Sequence, residues 1–484
     1  MQREIKLGSE LRRAAALAVS AILAIGAPVW AGGPLHVGGP SFGVDGQPFR
    51  WDTATPVAYR VDGGPLSVTP TGTVVIDRTS GVAMVQSMFQ VWEDVATAAI
   101  RYTNAGPVHP AGSFSDGDAS VFHELLALET DCEAGNQSPI VFDADGTIVD
   151  QLIGDPGVIG FAGTCKFDTT AGRIASALAL LNGRLRDGIS TPSSVPPNFE
   201  LTAEQFQQAF VHEFGHFSGL DHSQINVAVL SAPRGNCGMD DLAGLPVMFP
   251  FVYCQARTVP GVQLPALAPD DLAWISWLYP ETANTPPAQI PFSSAYGTIS
   301  GTISFSDGLT QAQGVNVVAR RISDGSSANG DETKRIAFSV VSGFRFAGNL
   351  GQNVSGTNPG DLRGSRDPQL AGRFEIPVTP GTYTVQVESI NPAFAFGSRV
   401  GPLDPPVPNP GPNEFWDANE SATDNPITSS TITVTAGGTV SNIDVILNGT
   451  PPRIDMFESA KVRLPEILPA WLRRHRTMRE LAAG

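Results

Sequence analysis

Apolar residues fall at two different periods along this chain. Within Ser80–Ile100, Val85, Met88, Phe89, Trp92 and Val95 recur at intervals of three and four, the spacing of one helical face. The stretch TAEQFQQAFVHEFGHFSGL repeats that period from Thr202 onwards. Thr202 stands as its N-cap with Gln205 three residues on, the arrangement of a capping box. Between and around these two helices lie short runs rich in β-branched and aromatic residues: FRWDTATPVAYRVDGGP, IRYTNAG, SPIVFDADG, GVIGFAGT and IASALALLNG. They read as strands bounded by turns. Strands interleaved with helices predict an α+β unit, a sheet with a long helix packed on it.

Beyond WLYPE the pattern changes. Residues 282–295, TANTPPAQIPFSSA, are polar and rich in proline and serine, as in a linker. From residue 296 to 449 short alternating segments follow one another, among them GTISGTISF, GVNVVARRI, GRFEIPV, GTYTVQVESI, STITVTAG and VSNIDVIL. That texture predicts an antiparallel β-sandwich. A basic tail, 450–484, contains Arg473, Arg474, His475, Arg476 and Arg479.

Length supports two globular units: the chain has 484 residues, and 42 % of them are hydrophobic. The net charge of -17 argues against nucleic acid as a partner. At the N-terminus Arg12 and Arg13 precede the apolar run AAALAVSAILAIGAPV, and Val29 and Ala31 stand at the small-residue positions of a cleavage site. This is the layout of a signal peptide, residues 1–31, and it implies secretion with no membrane span in the mature chain. Four cysteines then lie in an oxidising compartment: Cys132, Cys165, Cys237 and Cys254. Two disulfides are expected, with nearest neighbours the simplest pairing and other pairings open. A cysteine-held zinc is the rival reading, and no C-x-x-C pair supports it.

The candidate chemistry is concentrated in HEFGHFSGLDH, which holds three of the seven histidines in eleven residues. On a helix, His212 and His216 share a face and can offer two imidazole nitrogens to one ion. Gly219 lets the chain turn back, so that His222 brings a third nitrogen. Three imidazoles leave a tetrahedral zinc one open position, the arrangement of a catalytic site. Glu213 stands where a carboxylate can act as general base on a metal-activated water. A weaker candidate is DADGTIVD, where Asp143, Asp145 and Asp150 surround Gly146 and can offer oxygens to calcium. His36, His109, His123 and His475 stand alone.

HEFGHFSGLDHS resembles the zinc motif of the metzincin peptidases, and within them the matrixin branch. LPVMFP is similar to the Met-turn, which puts Met248 beneath the metal, with Met239 in CGMDD as a rival. LAPDDLAWISWLYP is similar to the last helix of such a domain, with Asp270 and Asp271 near its start. GDPGVIGFAG resembles the strand that precedes the active-site helix. The resemblance covers residues 48–281 and implies a metzincin-type catalytic domain, a mixed twisted sheet with an active-site helix. It implies a secreted zinc endopeptidase acting on a protein or peptide substrate. The alternative is a secreted adhesion or binding protein on the same scaffold with little turnover.

Three features depart from the matrixin pattern. His222 and Met248 lie 26 positions apart, and a Cys237–Cys254 bridge would clasp the loop between them. No cysteine precedes the first strand to act as a propeptide switch. No histidines around Gly157–Gly163 match a second zinc site. The sandwich resembles carboxypeptidase regulatory-like, transthyretin-like domains, which implies a binding or spacer role. A catalytic unit ending near residue 283 is expected to be separable from it.

Overall fold

The computed structural model describes residues 33–40, 42–152, 157–168, 170–189, 200–226, 229, 238–250, 258–259, 262–263, 267–322, 331–346, 364–388 and 411–449. The segment expected to be a signal peptide, the basic tail, Cys237 and Cys254 lie outside the described residues. The protein is mixed α/β, with several sheets and few helices.

The first unit contains β1 (Val57–Val61), α1 (Arg78–Glu93), β2 (Tyr102–Pro107), α2 (Phe122–Ala134), β3 (Pro139–Asp143), β4 (Gly160–Asp168), β5 (Arg173–Asn182), α3 (Ala203–Phe217), α4 (Met239–Gly244) and α5 (Pro269–Leu278). Its five-stranded sheet has the order β2-β1-β3-β5-β4. The β1–β2, β1–β3 and β3–β5 pairs are parallel, and β4 runs antiparallel to β5 at the edge. Central strands of a sheet covered on both faces must be apolar on both, and β3 is buried throughout.

The alternation of β3 and β5 divides them between two cores. Ile140, Phe142, Ala177, Ala179 and Leu181 pack with α1 and α3. Val141, Leu178 and Leu180 pack with Leu125 and Leu128 of α2 on the other face. The sequence reading missed α2, although Leu125, Leu128 and Cys132 follow a helical spacing. A disulfide, Cys132–Cys165, ties α2 to the edge strand β4.

The second unit contains β6 (Gly297–Ser304), β7 (Asn316–Arg321), β8 (Ala337–Val341), β9 (Arg373–Val378), β10 (Gly381–Glu388), β11 (Glu414–Phe415), β12 (Ile432–Val434), β13 (Thr439–Val440) and β14 (Val445–Ile446). One sheet has the order β9-β6-β13 with β14 also on β6, and the other the order β8-β7-β10-β11 with β12 on β10. Ile299, Ile303, Phe374 and Ile376 from the first meet Val317, Phe338, Tyr383 and Val385 from the second. The expected antiparallel pattern needs one correction: β13 and β14 pair with β6 in parallel. The chain leaves β12 in one sheet, crosses at Gly437–Gly438 and enters the other sheet alongside β6.

Residues 282–295 are largely exposed, as expected of a linker, and are tied to the first unit by hydrogen bonds. Glu281 accepts hydrogen bonds from the Thr282 and Ala283 amides and from Gln289. The Ile290 amide bonds the Ala96 carbonyl, and the Phe292 amide bonds that of Glu281. Residues 33–40 and 42–47 are integral to the first unit. Leu35 donates to the Gly219 carbonyl, and Asp221 donates to that of Gly33.

Candidate metal centre

Helix α3 has two working faces. Phe206, Phe210 and Phe214 recur every four residues and point into the core, where Phe214 stacks on Phe89 of α1 at 3.9 Å. His212 and His216 are two positions out of step with them, about 200° round the helix, and so face the opposite side. Thr202 and Gln205 form the capping box expected at the start. At the end, Trp51 Nε1 donates to the Phe217 carbonyl and the Tyr279 hydroxyl to that of Ser218, which satisfies carbonyls the helix leaves open. Gly219 then takes φ +90°, a left-handed turn that returns the chain to His222.

The three histidines converge. Their Nε2 atoms form a nearly equilateral triangle: 3.1 Å from His212 to His216, 3.1 Å from His212 to His222 and 3.0 Å from His216 to His222. A triangle of that size lets one ion sit about 2 Å from every nitrogen, the zinc–imidazole distance. Among the described residues, His212, His216 and His222 are the one group of three whose ligand atoms are close enough to hold a metal ion.

The proton positions strengthen this fit. His212 Nδ1 lies 2.7 Å from the Val247 carbonyl, and His216 Nδ1 lies 2.8 Å from the Leu220 carbonyl. A carbonyl only accepts, so each Nδ1 carries the ring proton and each Nε2 is left with a bare lone pair. Two lone pairs facing each other at 3.1 Å repel unless a cation lies between them. Burial lowers His212 to about 4, and burial followed by the neighbouring His212 lowers His216 to about 3. Both rings are therefore neutral, the form that ligates a metal.

Glu213 is buried beside this triangle, against β4. A Cβ built on Gly160 would stand 3.2 Å from the Glu213 Cγ and 2.6 Å from the Leu180 carbonyl, so glycine there admits the carboxylate. Burial pushes Glu213 up to about 8. Met248 lies under the helix between His212 and His216: a Cβ on Gly215 would collide with its sulfur, so Gly215 makes the room for it. Met248 is buried, whereas its rival Met239 is 43 % exposed at the start of α4.

The backbone that orients His212 has its own support. Asp271 accepts from the amides of Val247 at 2.7 Å, Met248 at 3.1 Å and Ala268 at 2.8 Å. One carboxylate on α5 thus fixes the turn that supplies the Val247 carbonyl. The sequence placed Asp271 near a helix start without a role, because a proline-led acidic pair reads equally well as a cap.

The three aspartates of the calcium expectation each have protein partners. Asp143 is spent on the amides of Ile148 and Val149, and Asp145 on that of Thr147. Asp150 forms a two-pronged ion pair with Arg184 at 2.7 and 2.9 Å. Arg184 already supplies the positive charge there, and the carboxylates serve separate turns. Of the two expected disulfides, Cys132–Cys165 is present. Compared with known protein families and with curated proteins, the chain matches none.

Proposed function

We propose that this chain is a secreted, zinc-dependent endopeptidase of metzincin type. The observation that carries this reading is the triangle of Nε2 lone pairs, set by two protonated Nδ1 atoms, with a buried glutamate directly after the first ligand. His212, His216 and His222 would hold the ion, and the chemistry it supplies when bound is Lewis acidity toward a carbonyl and toward water. A bound ion's charge would offset the burial that raises Glu213 and keep it ionised, so that it could accept the proton of the attacking water and return it to the leaving amine. Met248 and Asp271 fix the floor and the orientation of His212.

The substrate side is supported by β4. Among the described residues β4 has one strand partner, β5, and Gly160 at its start touches Glu213. An edge strand beside the base can hydrogen-bond an extended peptide along its backbone. Export is supported by the N-terminal apolar run and by the disulfide.

The test is hydrolysis of an unstructured peptide by the full chain, with and without a zinc chelator. Cleavage that stops with chelator and returns with zinc is expected. Metal binding without cleavage would instead support the binding-protein alternative.

A further inference from the structure

The insert that separates His222 from Met248 is where the sandwich docks. Ile225 is fully buried in a cluster with Val318 of β7 and Ala337 of β8. Asn226 is held at both ends: its Nδ2 donates to the Lys334 carbonyl at 2.9 Å, and its Oδ1 accepts from Arg320 at 2.9 Å. Asn226 takes φ +57°, so this grip fixes a left-handed residue four positions after the third histidine. Helix α4, further along the insert, meets the sandwich through a Lys334–Asp241 ion pair at 3.2 Å.

A second connection runs through α5. Strand β8 is an edge strand, and Ser339 has both of its outward backbone groups covered from the first unit. Its amide donates to Asp270 at 2.9 Å, and its carbonyl accepts from Trp274 Nε1 at 2.8 Å. Asp270 also accepts the hydroxyl of Ser223, the residue after His222, and the Ser223 amide donates to the Met248 carbonyl at 2.9 Å. Thus Asp271 orients His212 from within the first unit, while its neighbour Asp270 joins His222 to the sandwich.

We infer that the sandwich is a positioning element of the metal centre. It holds residues 223–226 through Asn226 and Asp270, and thereby holds the third ligand. The inference rests on the three-histidine metal reading. The helix supplies two ligands with a rigidity of their own. His222 sits on irregular chain, and irregular chain keeps a fixed course only where tertiary contacts hold it. Gly33 and Met248 hold Asp221 and Ser223 from within the first unit, and the sandwich adds the grip on Asn226, so a first unit ending near residue 283 should hold its third ligand less firmly than the full chain.

The test uses the full chain loaded with zinc. Zinc retention is measured against a chromophoric chelator well below the melting temperature. Asn226→Gly keeps the left-handed backbone and removes both side-chain bonds. Asp270→Ala removes the second connection, and Asp270→Asn retains an acceptor for the Ser339 amide. Retention is expected to fall about 10-fold or more in Asn226→Gly and Asp270→Ala, the usual effect of losing a group that orients a ligand. Asp270→Asn should fall less, and Ile427→Ser, at an exposed sandwich position, should match the unsubstituted chain.

Coupling is reciprocal. Zinc should therefore slow amide hydrogen exchange at Ser339, more than 100 residues from the nearest ligand. Unaltered retention in Asn226→Gly together with unchanged exchange at Ser339 would overturn the inference while leaving the metal reading intact. An unsubstituted chain that retains no zinc would overturn both.

Discussion

His212 and His222 approach one point from differently built surroundings. His212 stands on a capped helix whose other face is locked by aromatic packing, and its ring is aimed by the Val247 carbonyl. His222 follows a glycine turn and leads into a segment held by the sandwich. The first is rigid because of residues within a few turns of it. The second is ordered by backbone bonds to Gly33 and Met248 and by sandwich contacts about 100 residues distant. A centre built this way can be damaged from either side, and the two kinds of damage differ in size and character.

The largest effect is expected at the shared centre. Glu213→Gln keeps shape and ligands but loses the base, so turnover should fall on the order of 100-fold or more. Zinc content should stay near one ion per chain, measured by elemental analysis beside peptide kinetics. Next comes the His212 side. Asp271→Ala orphans three buried amides, at about 1–3 kcal/mol each, and frees the turn that aims His212. Urea unfolding should show the loss of stability, and zinc retention should fall about 10–100-fold.

A break outside both sides sharpens the contrast. Replacing Cys132 and Cys165 together by alanine removes a link that closes a loop of about 33 residues. Stability should fall by about 2–4 kcal/mol in denaturant titrations, while zinc retention under native conditions stays unchanged.

The smallest effect is a pH dependence on α2. Burial, then the Glu133 carboxylate, raises Glu129 to about 7. A raised carboxylate favours the protonated fold, so its contribution is fully present below the ordinary value of 4.5 and is lost as pH climbs through about 7. Glu129→Gln should therefore lose less stability between pH 4.5 and 8, seen as a smaller shift of the urea midpoint.

The two sides also differ in how far the sequence revealed them. The helix, its capping box, the turn at Gly219 and the three ligands follow from local spacing, and each is legible in a window of twenty residues. Met248 and its partner Gly215 were half legible: the methionine stands in a suggestive stretch, but the space it fills appears only when the helix is packed. Asp270, Asp271 and Asn226 were not assigned roles, because their partners are backbone groups of distant segments and backbone leaves no trace in residue type. The polar segment 282–295 was legible as exposed chain but its anchoring was not, for a related reason. Its prolines and serines suit an exposed linker, yet Glu281 and the Ala96 carbonyl satisfy it in place. The aspartates of DADGTIVD show the same limit, since turn-capping and cation-binding carboxylates have one composition.

The most direct test of the central claim is X-ray absorption at the zinc edge of the full chain loaded with one equivalent of zinc, beside His216→Ala. The account predicts a first shell of three imidazole nitrogens and one oxygen, and loss of that site in the variant. A first shell containing sulfur would contradict it and move the metal to cysteine, and an unchanged spectrum in His216→Ala would contradict it by removing His216 from the site.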